Sequence, residues 1–318
     1  MEGWKVGRLE DWKIAFSPPS ILPFLPSFPL SYSRSRFTFH ASRILMKIRE
    51  LYQVRQGIDR RFAILLVVLP IVIVLALYLY GSYKRHQENP KDRMMPNPGQ
   101  IKQGVIDTIR VNERTGDRWL WVDLKRSLYL MAISMGLTVA AAVFVGLHIA
   151  CFAAVEALHL RFVRFASFIP PLALLPLIFI FVGTGDGAKI LLIFLGTYFI
   201  LVMDVYLRCK EVPMKLIQKA YTMGASTQEV VYKVVLRYAW PGILNSIRFS
   251  FRQAWLYLIA AEMIAADAGL GYRIILVQRQ IGVNIILWYL FIIGTIGFVT
   301  DFIILKIIQT RYAWSLEK

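Results

Sequence analysis

Three charged side chains, Arg248, Arg252 and Glu262, stand inside the apolar run ILNSIRFSFRQAWLYLIAAEMIAA. Charge within such a run by default marks a solute path or an internal ion pair. Arg248 and Arg252 share one helical face at a spacing of four. That pair suits passage of small anions; near a span end it equally suits snorkelling toward headgroups or bracing of a neighbouring helix. Glu262 lies ten residues beyond Arg252, about 15 Å along a helix. Neither arginine reaches it unless another element intervenes.

Other chemistry finds few residues to carry it. GTGDGAK (Gly183–Lys189) looks like a phosphate loop, but Ala188 separates Gly187 from Lys189 and no Ser or Thr follows, so the Walker pattern fails. It reads as a tight turn between two spans. His148 and His159 have no carboxylate or cysteine at metal spacing, and Cys151 and Cys209 form no CxxC pair. They read as packing residues, and no metal site is expected. Asp204 and Asp301 stand near span ends and read as interfacial. With no Ser-His-Asp, HExxH or paired-carboxylate arrangement, the chain is expected not to be an enzyme and to hold no cofactor of its own.

Such residues must be positioned by membrane helices. Of the 318 residues 57% are hydrophobic, above the 45–50% or so of soluble domains, and mean hydropathy is +0.54. The net charge of +17 comes with no RNP, zinc-finger or basic-zipper pattern, so nucleic-acid binding is not expected. Lys and Arg instead serve as topology signals. A span needs about 20 apolar residues, and six segments qualify: Phe62–Tyr80, Ser127–Val155, Phe165–Val182, Ala188–Tyr206, Ile243–Ala266 and Asn284–Ile308. The third carries Pro170, Pro171 and Pro176 and should be kinked or broken. The fifth, with its three charges, should be shielded within the bundle. The expected fold is an all-α polytopic membrane protein with about six transmembrane helices.

Residues 1–45, with PPSILPFLPSFPL and SYSRSRF, show no helical period and no signal-peptide layout. They are expected to be a disordered tail or an extension upstream of a start at Met46. Residues 46–61 form a basic cytoplasmic lead, 62–80 the first transmembrane helix, 81–126 an external segment with a helix-like IKQGVIDTIRV, 127–310 the core, and 311–318 the C-terminus. A mild excess of Lys and Arg in the alternate loops places both termini in the cytoplasm.

Between the fourth and fifth spans lies KLIQKAYTMGASTQEVVYKVVLRYAW, longer than the usual 2–8 or so residues between bundle helices. Leu216, Ile217, Ala220 and Tyr221 share one helix face, and Val230, Val231, Val234, Val235 and Tyr238 repeat the pattern. Gly224 can end the first helix in a left-handed conformation; Ser226 and Glu229 form a capping box that starts a second. Two short amphipathic helices joined by a glycine turn are predicted. By themselves they fit a partner plug or a helix lying on anionic lipid.

QKAYTMGASTQEVVYKVVLRYAWPGIL resembles the EAA loop of ABC-importer permeases, matching at Ala220, Gly224, Val234 and Leu236. Gln218, Lys219 and Arg237 depart from the Glu, Ala and Pro of that pattern. EMIAADAGLGYRI, GTIGFVTDFII, RYAW and FIPPLALLPLIFIFVGTGDGAKI are similar to the nitrate/sulfonate/taurine permease family, and the resemblance runs from about Leu120 to Trp314.

That resemblance implies a transmembrane permease subunit of an ABC importer for a small, anionic solute. Its coupling loop, 211–240, would dock a cytoplasmic ABC ATPase dimer through Ala220, Gly224, Ala225, Ser226, Glu229 and Leu236. ATP would be used on that partner. An external solute-binding protein and a homodimeric core in the cell inner membrane are implied as well. Asp267, Gly269, Gly271 and Tyr272 would form an external gate-like turn; Arg248, Arg252 and Glu262 are candidates for the translocation path. The competing expectations are an ion-coupled secondary carrier or channel without an ATPase, and a membrane anchor that recruits a cytosolic partner.

Overall fold

The computed structural model describes residues 60–90, 92–111 and 116–315. The expectations for 1–45, for the Met46 start and for most of the basic lead lie outside these residues. The chain divides into two units, Met1–Val72 and Ile73–Lys318. Of the first, only the start of helix α1 (Arg60–Glu88) is described.

Among the described residues the regular elements are all helices. In the second unit, α1 continues to Glu88 and α2 spans Pro98–Ile109. Asn97 and Gln100 cap α2 reciprocally, each side chain bonding the other's backbone N–H at 2.8 and 2.9 Å, with proline at the first position, where no N–H is missed. Then come α3 (Trp119–Cys151), α4 (Ala153–Ala166), a 3-10 turn (Pro171–Leu174), α5 (Leu175–Val182) and α6 (Asp186–Lys210). The chain ends with α7 (Met214–Thr222), α8 (Thr227–Glu229), a π-helical stretch (Val230–Val235), α9 (Leu236–Ile264), α10 (Leu270–Gln278), α11 (Val283–Arg311) and a short 3-10 turn.

Four described helices, α1, α3, α6 and α11, are long and apolar enough to cross a membrane; α4 with the Pro171–Val182 segment makes a fifth if counted as one broken span. That pair bends by 83°. The break falls at Pro170 and Pro171, where the missing N–H groups stop the ladder. The expected fifth span corresponds to α9, whose 29 residues suffice in length. Its charges keep its composition below the apolar threshold. The second span starts earlier than expected, at Trp119, and the helix stops at Cys151 because Phe152 is extended.

Two buried layers hold α3, α6 and α9 together. One, around Leu130, Leu192, Leu258 and Tyr289, lies toward the start of α3. The other, around Leu147, Val205, Val231 and Ile243, lies toward its end and seats the π-helical stretch.

Candidate coupling lever and buried turn clamp

The amphipathic segment has the expected turn. Gly224 has φ +82°, a left-handed conformation that glycine adopts at little cost. The Ala225 N–H donates to the Ala220 carbonyl at 3.1 Å and the Gly224 N–H to Tyr221 at 2.9 Å, the two bonds of a Schellman ending. Ser226 then caps the next helix: its Oγ accepts from the Glu229 N–H at 3.3 Å, and Glu229 accepts from the Ser226 N–H at 3.1 Å. Lys233 adds an ion pair to Glu229 at 2.8 Å. These bonds hold the Glu229 carboxyl well down, to about 2, with the Lys233 contact foremost.

The second helix differs from expectation. It is not short: helical bonding runs without a break from Thr227 through the π stretch and past Pro241 to Ile264. The Leu236 N–H reaches back five residues to the Val231 carbonyl, and such π segments cluster at functional sites. Val230, Val231 and Val235 are buried against the bundle, and the Tyr232 hydroxyl meets His148 Nε2 of α3 at 3.3 Å. Leu216, Met223 and Tyr221 remain exposed. A groove of about 540 Å³ runs between the two arms, lined by Leu216, Ala220, Gly224, Ala225, Glu229 and Val234. Ser226 caps the turn beside it, and Leu236 lies half-buried where the π stretch ends. Gln218, Lys219 and Arg237, the departures from the EAA pattern, are all exposed.

At the far end of α9, Glu262 is fully buried and neither arginine is its partner. Its carboxylate accepts from Ser127 Oγ of α3 at 2.7 Å and from the Gly271 N–H at 2.8 Å. Ser127 Oγ accepts in turn from the Leu270 N–H at 2.9 Å. Asp123, one turn earlier on α3, accepts from the Gly269 N–H at 3.1 Å, Arg273 Nε at 2.8 Å and the Tyr289 hydroxyl at 2.8 Å. Three successive N–H groups at the start of α10, orphaned as in any helix, are thus each met by a side chain. The Arg273 guanidinium lies over the Trp119 ring at 4.5 Å. Gly269 adopts φ +136°, and a Cβ on Gly271 would stand 2.6 Å from the Ile259 carbonyl oxygen. Asp267 is exposed and Tyr272 half-buried.

Sequence reading singled out Glu262, Gly269 and Gly271 and missed Asp123, Ser127, Arg273 and Tyr289. A polar pair four apart, Asp123 and Ser127, at the head of an apolar helix was the available signal. Beside the turn opens a cavity of about 960 Å³ lined by Lys125, Arg126, Asp186, Lys189 and Asp267. Arg126 pairs with Asp186 at 2.6 Å, and the nearly buried Lys189 lies 3.5 Å from the same carboxylate.

Arg248 and Arg252 meet each other through a third residue. Arg248 Nε bonds Asp301 of α11 at 2.6 Å, and Arg252 approaches the same Oδ1 at 3.4 Å. Asp301 of α11 is their shared counter-charge. Asp204 of α6 is half-buried. Among the described residues no cluster of metal-ligating side chains occurs.

The chain is similar in sequence to several transport permeases. A putative ABC transporter permease of Methanocaldococcus jannaschii is 37% identical over 134 residues, 42% of this chain and 50% of that one. The taurine transport system permease of Escherichia coli is 30% identical over 207 residues, 65% of this chain and 75% of that one. A putative aliphatic sulfonates transport permease of Bacillus subtilis is 32% identical over 133 residues, 42% and 48% of the two. The chain thus spans half of the first and third relatives' length. A chain of the methionine ABC transporter, solved in inward-facing conformations, matches with 22% identity and a TM-score of 0.49, covering 58% of this chain and 94% of that one. The model of the family described as binding-protein-dependent transport system inner membrane component matches residues 139–313. With more than half its length within that match, the chain belongs to this family of non-enzymatic membrane components.

Proposed function

We propose that this chain is the permease subunit of an ABC importer, forming the path for a small anionic solute and coupling it to a separate ATPase. One observation carries the reading. An ordered, amphipathic hairpin with an open groove is joined by continuous helix to the segment bearing Arg252 and Glu262. A push on the hairpin therefore moves α9 along its length, as force transmission through a packed element requires.

In this reading two copies of the chain pair, both termini are cytoplasmic, and an ATPase dimer docks on the hairpins. A solute-binding protein delivers cargo at the opposite face, where the cavity beside the 265–271 turn opens. The names of the taurine and sulfonate relatives favour an oxyanionic cargo. Of the three intramembrane charges, the arginines belong to the path, and Glu262 acts through the turn it holds. The test is co-purification from native membranes. A Walker-containing ATPase should accompany the chain and be lost when Gly224 is replaced by valine; labelling of Lys219 or Lys233 from outside the cell would sink the assignment.

A further inference from the structure

Arg252 stands twelve residues before the end of α9 at Ile264 and sixteen after its start at Leu236, about 18 and 24 Å along the axis. In the importer reading α9 crosses a hydrocarbon core about 30 Å thick, and Arg252 stands within that crossing. Its side chain is nevertheless 65% exposed. An arginine at that depth faces a bundle interior or a watery cavity, not lipid.

The surroundings show what it faces. Arg248, Arg252, Trp255, Gly294, Phe298 and Asp301 line a slot of about 170 Å³ between α9 and α11. Two guanidinium groups share one carboxylate, so the slot carries net positive charge. Arg248 is committed to Asp301 at 2.6 Å, whereas Arg252 is held loosely at 3.4 Å. Both guanidiniums lie over the Phe249 ring, at 5.3 and 5.4 Å, which keeps them side by side. The Trp255 indole N–H is buried with no hydrogen-bond partner among the described residues. That N–H is closed off from the slot, so the donors that face it are the guanidinium N–H groups.

We propose that this slot is an intramembrane binding station for a small oxyanion such as a sulfonate or nitrate. The anion takes the free N–H groups of Arg252 in the planar, two-pronged manner of guanidinium recognition. Asp301 lowers the net charge, so that the ion binds without being trapped; a conducting site must also release. The volume admits a compact ion and excludes nucleotides and peptides. The slot's part in transport rests on the importer reading above; its capacity to bind an anion does not.

The experiment uses the full chain in lipid nanodiscs, with any co-purifying ATPase retained and scored. Binding of radiolabelled methanesulfonate is measured, with sodium nitrate and neutral dimethyl sulfone as competitors. Saturable binding is expected, displaced by nitrate and not by the sulfone. Arg252→Gln should weaken it by about tenfold or more, the loss expected for a charge-assisted hydrogen bond. Trp255→Phe should leave it nearly unchanged, because the indole N–H is shut off from the slot. Asp301→Asn should tighten it, a change of sign that misfolding cannot mimic. Unaltered binding in Arg252→Gln, or weakened binding in Asp301→Asn, overturns the proposal. A parent chain that retains its ATPase and binds no methanesulfonate overturns the slot alone. One that binds the anion but never brings down an ATPase supports the slot and overturns the importer reading.

Discussion

Asp123 and Arg273 form an ion pair at 2.8 Å across 150 residues of sequence, the carboxylate wholly withdrawn from water and the guanidinium nearly so. Tyr289 and the Gly269 N–H complete the carboxylate's shell. Breaking such a pair from one side leaves a buried charge uncompensated. Asp123→Ala should therefore destabilise the chain by about 3–5 kcal/mol, read as a lowered thermal midpoint of the purified protein. Joint replacement by leucine at Asp123 and methionine at Arg273 should recover much of that loss. Tyr289→Phe, which removes one bond only, should cost about 1 kcal/mol.

The glycines of the clamped turn should differ in their tolerance. A Cβ on Gly271 meets the backbone oxygen of Ile259 at 2.6 Å, which cannot rotate aside. Gly271→Ala should cost about 1–3 kcal/mol as overpacking. Gly269→Ala adds a strained φ to a clash with the Glu262 carboxyl, so it should be the worse of the two. Comparing thermal midpoints of both variants with Gly294→Ala, where a Cβ meets nothing, checks the order.

How much was legible in the sequence follows from the range of each interaction. The Gly224 turn and the Ser226–Glu229 cap are decided within six residues, and both stand as read. Four of the six expected spans stand as single apolar helices, visible because apolar length is local too. What escaped were contacts between distant elements. Glu262 has no partner within its own helix, and nothing in its neighbourhood names Ser127 as the donor. Asp301 was read as interfacial because it stands toward a span's end; its role depends on two arginines 49 and 53 residues away. The continuity of Thr227–Ile264 was hidden by Pro241, which usually interrupts a helix but here lies inside one.

Gly224 gives a graded test of the lever. A Cβ there meets no atom within 4 Å, so any penalty comes from the left-handed backbone alone. Asparagine tolerates that conformation, alanine pays about 1 kcal/mol or somewhat more, and a β-branched residue more again. Solute uptake should fall in the order Gly224→Asn, Gly224→Ala, Gly224→Val, with the last near zero and all three inserted normally. Equal uptake in the three would show that the turn's geometry does not matter.

The cap beside it predicts an unusual resistance to acid. Ser226→Ala should cost about 1 kcal/mol of local helix stability, seen as faster amide exchange over 227–235. Glu229 is held to about 2 by Lys233 and Ser226, below the ordinary value of about 4.3. A depressed carboxyl contributes stability that is fully present above the ordinary value and lost as pH falls through the folded one. The hairpin should thus keep its protected amides at pH 4, where a free glutamate is already largely protonated. In Lys233→Met the folded value should rise toward the ordinary one. Loss of protection should then move up from near pH 2 toward pH 4, and an unmoved profile would place the source of the low value elsewhere.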